Sequence, residues 1–162
     1  MIIVSDTSII ANLLVIQRLD ILRAVFFEVL IPPAVNAEVM ALEGIGTDLS
    51  KYKSADWIKV VSPKNELKVA TLREVLDEGE SQAIALALEI HCELLLIDER
   101  LGTKVAKNEG LSTLGLIGLL ILAKKRNLIS AVKPFLVELK EKAGFWLGVS
   151  LVEQILKDEG EL

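Results

Sequence analysis

Four carboxylates in this 162-residue chain stand out by their placement. MIIVSDTS, at the start, runs an apolar stretch straight into Asp6, and LLLI at 94–97 runs into Asp98 and Glu99 in the same way. Glu38 lies three residues after Val35 and four before Leu42, so it borders the stripe Val35, Val39, Leu42 of a helix. Glu80 precedes Ala83, Ile84 and Ala87 by three, four and seven residues on an apolar helix. A carboxylate in such a place should find a cation, because an unpaired buried charge is costly. Four converging carboxylates would repel, and some would keep a proton at neutral pH. Mg²⁺ or Mn²⁺ removes the conflict: these ions prefer oxygen ligands, keep several waters, and commonly sit on a few carboxylates plus a substrate phosphate. Such a metal lowers the pKa of bound water and stabilises charge on a phosphodiester. The chemistry this pattern predicts is metal-dependent phosphodiester hydrolysis, which needs no His, Cys or Lys nucleophile.

Each acid also has a plainer reading. Asp6, Thr7 or Ser8 can cap a following helix, and so can Asp98. Asp77 as N-cap with Glu80 three residues on forms an acidic version of the capping box. The residues alone leave these alternatives open.

The elements that would position the acids alternate along the chain. Short β-branched or apolar runs at 2–5, 28–32, 57–61, 93–97 and 111–115 read as strands. Helical patterns occupy 9–19, the stretch from Pro33 to about Leu42, 80–90 and 100–109, and LGLIGLLILA at 114–123 reads as a buried helix. Continuous apolar strands separated by helices predict a parallel sheet covered on both faces. Ligands of such sheets bind at the carboxyl ends of strands, the edge to which Asp6 and Asp98 are delivered. The expected architecture is one domain over 1–162, with C-terminal helices from about residue 131 packed on it. In that tail Gly144 reads as a helix stop, Phe145-Trp146 as an aromatic anchor, and SLVE at 150–153 as a capping box. EGIGTDLSKYKSAD at 43–56 is the least regular segment and reads as a lid or an edge loop.

Composition excludes several classes. At 52% apolar residues the chain is not disordered, yet no run reaches the roughly 18–20 residues of a membrane helix. One cysteine, Cys92, makes no internal disulfide, and with His91 as the single histidine a structural zinc site is excluded. No signal peptide is evident, and together with the lone cysteine this predicts a cytoplasmic protein. The net charge of −5 argues against broad phosphate neutralisation and leaves room for a local basic patch. An aspartyl phosphatase would suit Asp6 but needs a second Asp where Ser8 stands.

SDTS at 5–8, IPPAVNAEV at 31–39, GESQAIALA at 79–87, LLIDER at 95–100 and GFW at 144–146 follow one another in an order that resembles the PIN-domain family of metal-dependent ribonucleases, in its toxin-like branch. The resemblance implies a three-layer α/β/α fold with a mostly parallel sheet. It implies that Asp6, Glu38, Glu80 and Asp98 form an acidic quartet around Mg²⁺ or Mn²⁺, with Thr7 or Ser8 supporting the metal shell and Glu99 as an additional ligand. It further implies RNA as substrate, a small antitoxin as partner, and a homodimer. The chain departs from many relatives in carrying Glu rather than Asp at position 80, and Ile97 where a hydroxyl residue often precedes the fourth acid.

Arg100, Lys104 and Lys107 fall at i, i+4 and i+7 on the helix after Asp98, and read as RNA-backbone contacts or as a solvated face. Lys124, Lys125 and Arg126 read as a helix C-terminus. Leu13, Ile16 and Leu19 offer themselves equally to a dimer partner or to the core. Beside the endoribonuclease reading stands a non-enzymatic one, a metal-binding or protein-interaction module on the same fold.

Overall fold

The computed structural model describes residues 1–162. Its sheet has five strands: β1 (Ile3–Ser5), β2 (Val29–Ile31), β3 (Ile58–Val60), β4 (Leu94–Leu96) and β5 (Thr113–Leu114). Their order is β3-β2-β1-β4-β5, and every pairing is parallel. All three residues of β1 are buried, as are Leu95 and Leu96 of β4. Successive strand residues point to opposite faces, so burial of consecutive residues requires helices on both sides. The three-layer α/β/α sandwich expected from the sequence is the fold observed.

Ten helices supply the outer layers: α1 (Thr7–Val15), α2 (Asp20–Phe26), α3 (Pro33–Ala41), α4 (Ser50–Lys53), α5 (Glu66–Leu72), α6 (Glu78–Glu89), α7 (Arg100–Asn108), α8 (Leu116–Lys125), α9 (Lys133–Ala143) and α10 (Val149–Asp158). Helix α6 packs on α3 and α5, and α2 packs on α8. Pro33 at the first position of α3 starts that helix where its missing N–H is harmless. Asp77 caps α6 by accepting from the Glu80 N–H at 2.8 Å.

The chain leaves β1 towards β2 on one side and later returns to β4 on the other, so the strand order reverses at β1. Ser5 lies beside Leu96, and the Asp6 N–H donates to the Leu96 carbonyl at 2.9 Å. The crevice beyond the carboxyl ends of β1 and β4 is therefore the switch point at which parallel sheets bind ligands.

Several sequence expectations need correction. Helix α10 begins at Val149 behind Gly148, with no side-chain cap, so SLVE forms no capping box. Phe145 packs against the core, but Trp146 is 73% exposed and anchors nothing. Segment 43–56 is an edge segment held down by buried Leu49 and Tyr52, whose hydroxyl donates to Asn36 Oδ1 at 2.6 Å. Leu13, Ile16 and Leu19 lie in the core, which removes them as a dimer surface. Helices α2 and α5 stand where no helix was expected. Gly144 ends α9 as anticipated, with φ of +64°. No helix is long and apolar enough to cross a membrane.

Candidate active site

Asp6 occupies the N-cap position of α1, yet its side chain makes no capping hydrogen bond to that helix. The plainer reading of the first motif therefore fails: the carboxylate, only 4% exposed, is aimed elsewhere. Burial pushes Asp6 up to about 7; the Thr7 amide opposes this, and the negative charges of Asp77, Glu38 and Glu99 reinforce it. These causes place Asp6 at the centre of a group of acids from three other elements.

Glu80 stands in the first turn of α6, 7% exposed, with Oε2 buried and without a hydrogen-bond donor. Burial pushes it up to about 8; the adjoining Glu99 carboxylate favours a proton on Glu80, and the charges of Asp77 and Asp6 add to the effect. Glu38 reaches in from α3, where the Thr7 hydroxyl donates to its Oε2. Thr7 thus touches the acid cluster, as expected of a supporting hydroxyl, whereas Ser8 Oγ is buried and partnerless.

Asp98 and Glu99 each accept from a backbone amide as well as standing at the sheet edge. Asp98 shares the sheet edge, but both of its oxygens accept from the Leu116 N–H at 3.1 Å, so it holds the N-terminus of α8. Burial raises its pKa, against that amide. Glu99, not Asp98, caps α7, accepting from the Gly102 N–H at 2.7 Å, and that amide holds its pKa low. Glu99 is also the member of the pair whose charge reaches Asp6 and Glu80. Asp77 is a further acid in the cluster that sequence reasoning assigned only to capping. Its signal was present, since the first turn of a helix whose Glu80 faces a site must bring the cap residue close to that site.

No group of three or more His, Cys, Asp or Glu side chains forms a ready-made metal cage. The donors nevertheless fit a hard cation: oxygen ligands only, two of them desolvated, one with an orphaned oxygen. Mg²⁺-type ions need only one or two direct carboxylates and complete their shell with water and substrate. Arg100, Lys104 and Lys107 are exposed on α7, and none is engaged in an ion pair. Lys124 is tied to Glu161 at 2.8 Å, and Arg126 donates to the Val25 carbonyl, so that basic cluster is structural. Burial pushes the Cys92 thiol up to about 11, which makes it a poor nucleophile.

The family described as PIN domain matches residues 2–161, nearly the whole chain. The chain belongs to the PIN-domain family. No curated protein matches it. PIN domains are generally nucleases and typically use divalent metal ions, which agrees with an all-oxygen donor set at the switch point of this PIN domain.

Proposed function

We propose that this PIN domain is a metal-dependent endoribonuclease that hydrolyses RNA phosphodiester bonds, and that it is the toxin of a toxin–antitoxin pair. The observation that supports this best is the burial of Asp6 and Glu80 at the switch point, facing further acids and no cationic side chain. Such a field is relieved by a divalent cation. Asp6, Glu38, Glu80 and Asp98 would hold Mg²⁺ or Mn²⁺, with Glu99 as an additional ligand and Asp77 beside them. The ion supplies a more acidic bound water and stabilises charge developing on the phosphate. Thr7 orients the Glu38 carboxylate by its hydrogen bond. Burial of Asp6 and Glu80 excludes bulk water from that side of the cluster. The unpaired cations of α7 orient the RNA backbone. The toxin role, the small antitoxin that would block the crevice, and a homodimer are supported by the resemblance of the motifs alone.

The test is single-turnover cleavage of a mixed RNA pool with Mn²⁺, Mg²⁺ or EDTA, beside Asp6→Asn. Cleavage should require metal and fall by at least about a hundredfold in the variant, a loss of roughly 3 kcal/mol in barrier lowering. Equal cleavage by both proteins would remove Asp6 from the chemistry. A second reading is a metal-binding module on the same fold without nuclease activity. A melting temperature raised by Mn²⁺ with no cleavage of any RNA would establish that reading instead.

A further inference from the structure

Ten glycines are present, and at four of them an added Cβ would stand within 3.0 Å of another atom. Three of those four face a carboxylate of the expected quartet. A Cβ on Gly79 would meet Glu38, at 2.7 Å from Oε2 and 2.8 Å from Cδ. On Gly102 it would collide with Glu80 Oε2 and approach Ile97 Cδ1 at 2.9 Å. On Gly115 it would collide with Asp98 Oδ1. The fourth, Gly118, faces Leu114 and is an ordinary apolar close approach.

A left-handed backbone does not account for these three glycines, although Gly115 also takes the N-cap position of α8. None has a positive φ, unlike Gly46, Gly110, Gly144 and Gly160. Gly79 and Gly102 lie inside the first turns of α6 and α7, where glycine costs helix stability relative to alanine. A residue that weakens its helix without serving the turn is explained by what its missing side chain leaves free. At each position the freed volume is occupied by a carboxylate.

We infer that Gly102, Gly79 and Gly115 are positioning residues, whose absent side chains seat the carboxylates of Glu80, Glu38 and Asp98. Gly102 carries the most, because Glu80 is almost fully buried and the buried Ile97 side chain crowds the same spot. Glu38 is only partly buried and has more freedom to move. The inference rests on the proposed metal site only for its consequence, not for the seating itself.

The experiment is a double-mutant cycle in EDTA, with melting temperature as the readout, on wild type, Gly102→Ala, Glu80→Asp and the double variant. Helix propensity alone predicts that Gly102→Ala melts roughly 2–4 °C higher. Seating predicts the opposite sign, a fall of roughly 3–10 °C from overpacking. Aspartate is one methylene shorter, so the double variant should recover much of that loss. A rise for Gly102→Ala, or a double variant that shows the sum of the two single effects, would overturn the inference. Should Gly102→Ala not fold, the double variant decides in EDTA: Gly102→Ala/Glu80→Asp should fold again, and a double variant that also fails to fold would overturn the inference. Titration with Mn²⁺ adds a readout that packing alone would not move: Gly102→Ala should raise the Mn²⁺ concentration for the half-maximal melting shift at least tenfold, with partial rescue by Glu80→Asp. A wild-type protein whose melting ignores Mn²⁺ would overturn the proposed function, while the cycle in EDTA still decides the role of the glycine.

Discussion

Asp6 and Glu80 are charged at a cost to the fold, and that cost has a sign that can be measured. Asp6 moves from an ordinary 3.8 to about 7 in the folded chain, and Glu80 from 4.5 to about 8. The folded state therefore holds these protons more tightly than the unfolded state. The stability these two groups contribute is greatest at the acidic end, falls as pH rises from about 4 to about 8, and is constant above that window. Within it the loss per fully coupled group is roughly 1.4 kcal/mol per pH unit. In EDTA, wild type should melt several degrees lower at pH 8 than at pH 5, and Asp6→Asn should flatten the slope and melt above wild type at pH 8. Thermal melts at pH 5, 6.5 and 8 check this; parallel profiles for both proteins would mean that Asp6 carries no such strain. At this scale Asp6, Glu38 and Glu80 were legible, because an acid at a strand end or beside an apolar stripe conflicts with its surroundings. The division between Asp98 and Glu99 was not. Two adjacent acids leave a strand at the point where its two-residue alternation ends, so no periodicity says that Asp98 turns inward and Glu99 caps the next helix.

Element boundaries decide how α6 serves both the fold and the site. Asp77 caps the helix through the Glu80 N–H and also adds charge beside Asp6 and Glu80. The two roles separate by substitution. Asp77→Ala removes cap and charge, and should lower stability by about 1 kcal/mol near pH 5, where the charge relief matters least. Asp77→Ser keeps a capping hydroxyl while removing the charge, so it should melt near wild type at pH 5 and above it at pH 8. Chemical denaturation at both pH values distinguishes these outcomes; equal losses for Ala and Ser would show that the carboxylate itself is needed for the cap. The parallel strands and α1, α3, α6 and α7 were legible from apolar runs, spacing and Pro33. Helices α2 and α5 were not, because seven-residue helices give only two turns of periodicity. The false capping box at Ser150 shows the converse: a pattern of four residues matched, but the chain had already entered the helix at Val149.

At the scale of the whole molecule, a net charge of −5 sets the protein against its proposed substrate. An RNA strand approaching the acidic crevice is repelled unless cations meet it first, and bound divalent metal neutralises only the centre. Exposed cations free of internal partners beside the crevice are therefore the elements to test. Arg100, Lys104 and Lys107 qualify, since α7 begins immediately after Glu99 and none of the three forms an ion pair. Lys124 does not, being spent on Glu161, and Arg126 is tied to a backbone carbonyl. Single-stranded nucleic acid releases roughly 0.7 counterions per phosphate contact, so losing two contacts should reduce the slope of log affinity against log salt by about 1.4. Lys104→Gln/Lys107→Gln should show that change, weaken RNA binding several-fold at low salt, and converge with wild type as salt rises. Binding is best measured with Asp6→Asn as the background, in Ca²⁺, so that cleavage does not intervene. A slope unchanged from the background protein would leave these lysines as a solvated face, and the RNA path would then have to avoid α7.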